Sequence, residues 1–146
     1  MHGICVGNAS FASATSSFNG LTYEEVFPFV GAVQAFGDRN YVLFGQENTP
    51  CEGGVFLRPS THNTPSGTSI TVTAPKTSTV CVFIEMMDTV RSGGFDNSLP
   101  NIGFTNYGVQ TDFRWNKPNG NGRWTLLCMD LSVAPSFAPS EPPVTP

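Results

Sequence analysis

Charge is scarce in this chain. Asp, Glu, Lys and Arg together make up 12% of its 146 residues, about half the share usual in soluble proteins. Only 7 residues are basic against 11 acidic ones, for a net charge of −4. That excludes the basic face which nucleic acid or an anionic membrane would need. Apolar runs are short, and none approaches the ~20 residues of a membrane-spanning helix. The opening Met1-His2-Gly3-Ile4-Cys5-Val6-Gly7 has neither a basic start nor an apolar stretch after it, so no signal peptide is visible.

Catalytic and metal-binding patterns are equally thin. Histidine occurs only at His2, near the terminus, and at His62, in a polar Ser60–Pro65 loop. No His-x-His, Glu-x-x-His or Cys-x-x-Cys offers zinc a ligand pair. A serine nucleophile needs a positioned base, and the motifs of hydrolases and phosphate loops are missing. Scattered glutamates (Glu24, Glu25, Glu47, Glu52, Glu85) define no acid pair, because only structure sets the carboxylate separation that glycoside chemistry requires. The expectation is a non-enzyme without cofactor or metal.

What replaces charge is Gly (15), Pro (12) and many Ser, Thr and Asn, with hydrophobic residues at 39%. Mean hydropathy is −0.08, the level of a folded soluble protein. Strand-like runs recur between turn residues. They lie at Phe27–Val33, Arg39–Phe44, Gly54–Arg58, Ser69–Ala74, Thr79–Glu85, Asp112–Trp115 and Arg123–Met129. The run 69–74 alternates, with Ile70, Val72 and Ala74 on one face and hydroxyls on the other. The run 79–85 is apolar almost throughout and predicts a central strand covered on both faces. The one helical candidate is Leu21–Val26, which Thr22 could cap ahead of Glu24 and Glu25.

This spacing predicts an all-β fold: an antiparallel β-sandwich, jelly-roll-like, with about eight short strands and little helix. A single domain over 1–133 is expected, followed by a Pro/Ser-rich linker or tail at 134–146 that carries neither helix nor sheet ladder. Ile70, Val72, Val80, Val82, Ile84, Val55, Leu57 and Leu126 should fill one core between the two sheets.

Four cysteines stand at 5, 51, 81 and 128. They allow three disulfide connectivities, or serve as reduced buried hydrophobes. Reduced thiols are expected, because a chain of this length builds a core without bridges. An intracellular, cytoplasmic setting goes with them, and an extracellular one requires a signal outside this segment. One N-glycosylation sequon occurs, Asn8-Ala9-Ser10, and by itself it carries little weight.

Three segments invite a binding function. The loop 86–100 holds Asp88, Arg91, Gly93, Gly94, Phe95 and Asp96. Its two aspartates suggest calcium only weakly, since no Asp-x-Asp-x-Asp spacing exists. Phe113, Trp115 and Trp124 lie among Arg114 and Arg123, either as core or as a stacking platform. Loops at the ends of a sandwich carry recognition. The predicted contact residues are therefore Asp88, Arg91, Phe95, Arg114, Trp115 and Trp124.

The third segment carries a resemblance. Phe36-Gly37-Asp38-Arg39-Asn40-Tyr41 is followed by Gly53-Gly54-Val55-Phe56-Leu57-Arg58-Pro59, then by Thr79–Ile84 and Gly93-Gly94-Phe95. In this order, over residues 36–131, the chain resembles β-sandwich accessory domains appended to carbohydrate-active enzymes. The resemblance implies a sandwich and a non-catalytic role, with Asp38 and Arg39 as scaffold at a strand end. The chain departs from the pattern at Cys81 and at Glu85-Met86-Met87-Asp88. Two expectations follow. The first is a protein-interaction or assembly module of a larger multidomain protein, and the alternative is a carbohydrate-binding module. The partner is accordingly another protein or a glycan.

Overall fold

The computed structural model describes residues 2–65, 67–85, 103–117, 120–131 and 143–144. Among the described residues, regular structure comprises eleven strands and one short 3-10 turn, Gln46–Asn48. The strands are β1 (His2–Gly7), β2 (Ser13–Ser16), β3 (Tyr23–Val26), β4 (Val33–Phe36), β5 (Arg39–Phe44) and β6 (Val55–Pro59). They continue with β7 (Ile70–Thr73), β8 (Thr79–Glu85), β9 (Thr105–Lys117), β10 (Gly120–Asp130) and β11 (Pro143–Val144).

All pairings among the described residues are antiparallel. Eight strands form one sheet in the order β3-β6-β1-β8-β10-β9-β5-β4, and β11-β7-β2 form a second. The fold is thus all-β and sandwich-like. The large sheet curls until its two ends approach each other. Gly37 N donates to Pro59 O at 2.9 Å, and Arg58 Nε donates to Gln34 O at 2.8 Å.

Curling gives the large sheet two buried faces and the protein two cores. On the outer face, Ile4, Val6, Val55, Leu57, Val80, Val82, Ile84, Leu127 and Met129 pack with Ile70 and Val72 of the small sheet and with Ala74 just after β7. On the inner face, the sheet wraps around Phe29, Phe36, Phe56, Phe83, Phe113, Trp115, Trp124 and Leu126 with all four cysteines. Strand β8 shows why its sequence is apolar throughout. Val80, Val82 and Ile84 enter the first core, while Cys81 and Phe83 enter the second. The expected single core is corrected at Leu126, which lies in the inner core with Trp124 and Cys128.

Other expectations are corrected locally. Leu21–Val26 holds no helix, since Tyr23–Val26 pairs with β6 in the register Glu24↔Arg58 and Glu25↔Leu57. An ion pair between Arg58 and Glu24 replaces the supposed helical first turn. Phe27–Ala32 is a connection with a cis peptide at Phe27–Pro28, and the strand starts only at Val33. The 112–115 run is the middle of the much longer β9. Strand β9 runs on to Lys117, and β10 already starts at Gly120. Within the tail, Pro143 and Val144 pair with Thr71 and Ile70, so this segment does contribute a rung of sheet.

The cysteines are not reduced. Cys5 bonds Cys51 and Cys81 bonds Cys128, leaving no free cysteine. Register explains the clustering: Cys5 faces Cys81 across β1–β8, and Cys81 faces Cys128 across β8–β10. Each bridge closes a loop over a separation of 46 or 47 residues. Loops of that size remove about 4 kcal/mol of unfolded-chain entropy.

Candidate functional site

A groove of about 540 Å³ opens where the 3-10 turn meets β9, lined by Gly31, Ala32, Phe44–Asn48, Asp112 and Arg114. Gly45 brings the turn this close. Its φ is +83°, and a β-carbon there would lie 1.7 Å from the Asp112 carbonyl oxygen, so both backbone conformation and space demand glycine. From that pivot the chain enters the turn, which Thr49 closes through two bonds to the Gln46 carbonyl, from its N–H at 2.9 Å and its Oγ1 at 2.8 Å. Asn48 Nδ2 then reaches across to Asp112 Oδ2 at 2.9 Å, tying the turn to β9. Arg114 is half-buried on the same strand, opposite Phe44.

Gln46 is the unusual member. Its side chain is buried at 1% exposure, and its Nε2 donates to Gly31 O at 2.6 Å. Its Oε1 is buried and has no hydrogen-bond partner among the described residues. Buried polar atoms are satisfied in the great majority of cases, and an unmet acceptor costs about 1–3 kcal/mol. The groove thus collects the carboxylates of Glu47 and Asp112, the Asn48 amide and the Arg114 guanidinium, while Gln46 Oε1 itself is buried. That set of donors and acceptors suits a ligand carrying several hydroxyls.

A second hollow of about 380 Å³ is lined by Thr22, Tyr23, Glu24, Gln34, Gly37, Arg58, Pro59 and Ser60. Its strongest groups are already committed: Arg58 to Glu24 and Gln34 O, and Gln34 Nε2 to Phe36 O at 2.7 Å. Those bonds hold the curl of the sheet together, so the hollow reads as a seam.

Both histidines have structural roles. His62 Nδ1 lies 2.9 Å from Asp38 Oδ2, and its Nε2 lies 3.2 Å from Arg39 Nη2. Thr61 Oγ1 and the His62 N–H also donate to Asp38. Burial raises the Asp38 carboxyl, but these bonds and the charges of His62 and Arg39 outweigh it and hold the group below the usual carboxylate range. Asp38 thereby pins the loop after β6. His2, close to the terminus, is buried in β1. It bonds the Tyr23 hydroxyl at 2.8 Å and the Thr64 hydroxyl at 3.1 Å. Burial pushes its imidazole down to about 3 and pushes the Tyr23 phenol well above its ordinary range.

Of the predicted contact residues, Arg114, Trp115 and Trp124 are described. Asp88, Arg91 and Phe95, together with Asp96 of the calcium suggestion, lie outside the described residues. Trp115 and Trp124 are both at 0% exposure, packed 4.9 Å apart between ring centroids. Their faces are taken by the inner core, which leaves no ring surface for stacking a sugar or anchoring a partner. Among the described contact residues, only Arg114 lines the groove. Gln46, Glu47, Asn48 and Asp112 had no sequence signal, because 64 residues separate Asn48 from Asp112. The sulfurs of Cys5, Cys51 and Cys81 lie within 4.8 Å of one another, but the two disulfides consume them as ligands. No helix among the described residues is long and apolar enough to cross a membrane. No family model, curated protein or solved structure matches this chain.

Proposed function

We propose that this domain is a non-catalytic binding module whose groove beside the 3-10 turn takes a hydroxyl-rich ligand of the glycan class. One observation carries the reading: the groove gathers the Glu47 and Asp112 carboxylates, the Asn48 amide and the Arg114 guanidinium around one concave surface. Charged and amide side chains placed together in a concavity are the usual means of orienting a polar ligand. The resemblance to accessory domains of carbohydrate-active enzymes points the same way. Two buried disulfides favour an oxidising compartment over the cytoplasm as the place of work.

The test is amide chemical-shift mapping during titration with simple pyranoses and their oligomers. Saturable shifts should concentrate at Gly31, Gln46–Thr49 and Asp112–Arg114. Shifts spread evenly over the surface, or none at any concentration, would reject the groove.

A second reading, a protein-interaction module, is favoured by a different observation. Phe11, Phe27, Val30 and Tyr107 are each more than half exposed, at 61%, 51%, 51% and 53%. Large apolar side chains so placed are typical of contact surfaces when they lie together. Under this reading the same titration leaves the groove silent, and a partner protein shifts the amides of these four residues.

A further inference from the structure

The sequon Asn8-Ala9-Ser10 takes on weight once its surroundings are known. Asn8 immediately follows β1 and is exposed, in the left-handed region at φ 55°, and Ser10 is exposed as well. The asparagine amide is held, but only in part: Nδ2 donates to Thr77 O at 3.0 Å. An amide nitrogen carries two hydrogens, so one bond to Thr77 leaves the second hydrogen replaceable. The two disulfides add an independent pointer, because the compartments that form such bridges include the secretory lumen, where asparagine is glycosylated.

From these observations we infer that Asn8 is a modification site that accepts an N-linked glycan. The donor class is an oligosaccharide carried on a polyprenyl diphosphate. Asn8 Nδ2 bonds to the anomeric carbon of the first sugar, and the bond from that carbon to the diphosphate oxygen breaks. The displaced Nδ2 proton passes to a base of the transferase, and the polyprenyl diphosphate leaves as the anion. Afterwards Nδ2 keeps one hydrogen, so the bond to Thr77 O survives and holds the first sugar against the turn before β8. The attached chain then projects from the connection between β1 and β2, where Phe11 is also exposed. Asn8 is not among the groove residues, so this inference stands apart from the proposed ligand.

The test is translation of the full chain, behind a cleavable secretory leader, into microsomal membranes, and its secretion from a eukaryotic cell line. A single glycoform step in mass is expected. It should be removed by a glycan-releasing amidase that converts the linked asparagine to aspartate, a change that peptide mapping assigns to position 8. Asn8→Gln and Ser10→Ala should each abolish the step, and Ser10→Thr should keep it. Ser10→Ala is the sharper control, since it leaves the Asn8 amide and its bond to Thr77 in place. Chain recovered inside the membranes with both disulfides formed and only the unmodified mass would overturn the inference. A mass step that persists in Ser10→Ala would overturn it equally.

Discussion

Trp115 lies across Gly122 in the β9–β10 ladder, so close that a β-carbon at 122 would sit 1.7 Å from Trp115 Nε1. The indole occupies the space that any other residue would claim, and beyond it the ring packs on Phe36 and Trp124. A missing side chain on one strand is thus what seats the largest side chain of the other. Gly122→Ala should cost about 1–3 kcal/mol, the range for forcing a methyl into a packed core. Urea unfolding measures it, and a loss under about 0.5 kcal/mol would mean that the tryptophan is seated elsewhere.

The two cores make separate predictions for β8. Val82→Ala or Ile84→Ala empties part of the outer core and should cost on the order of 2–4 kcal/mol. Thr71→Val and Thr73→Val, on the exposed face of β7, should stay within about 0.5 kcal/mol. Equal losses at all four positions would contradict the assignment of faces.

Thiol counting on denatured protein, without reductant, should find no free cysteine. Replacing Cys81 and Cys128 together by Ala should cost about 2–5 kcal/mol, the usual loss for a native bridge. Four free thiols in the untreated protein would instead restore the reduced core read from the sequence.

Acid should weaken the fold in two windows. The His2 imidazole, held down to about 3 from its ordinary 6.5, stays neutral while the unfolded chain takes up a proton. Stability is therefore full above pH 6.5 and falls by about 1.4 kcal/mol per pH unit between there and pH 3. The Asp38 carboxylate is lowered from its ordinary 3.8, so its contribution is present above that pH and disappears as acid protonates it in the fold. His2→Gln should flatten the first window, and Asp38→Asn should affect only the second. A stability curve unchanged from pH 6.5 to pH 3 would contradict the burial of His2.

Much of the sheet was legible, and the reasons are local. Arg39–Phe44 and Thr79–Glu85 match β5 and β8 at both ends, because β-branched and aromatic runs bounded by turn residues leave little choice. Strand β1 was not legible, since His2, Gly3 and Gly7 dilute its pattern while neighbours on both sides bury all six residues. Tyr23–Val26 was misread because Thr22 with two glutamates looks like a capped helix. The pairing of Glu24 with Arg58, 34 residues away, decides otherwise. Cysteine spacing said nothing of pairing, which the strand register determines. The groove was invisible for the same reason: it exists only where Gly45 lets a turn touch β9. Arg114 was selected for its neighbouring tryptophans, and those rings face the opposite side, into the core.

The most direct measurement is a glycan array probed with the intact protein beside its Arg114→Ala and Asp112→Ala variants, all three matched in thermal unfolding. Binding to a restricted set of glycans by the parent, reduced at least tenfold in both variants, is the predicted result. An empty array, or glycan signals that both variants retain in full, would contradict a ligand-binding groove at the 3-10 turn.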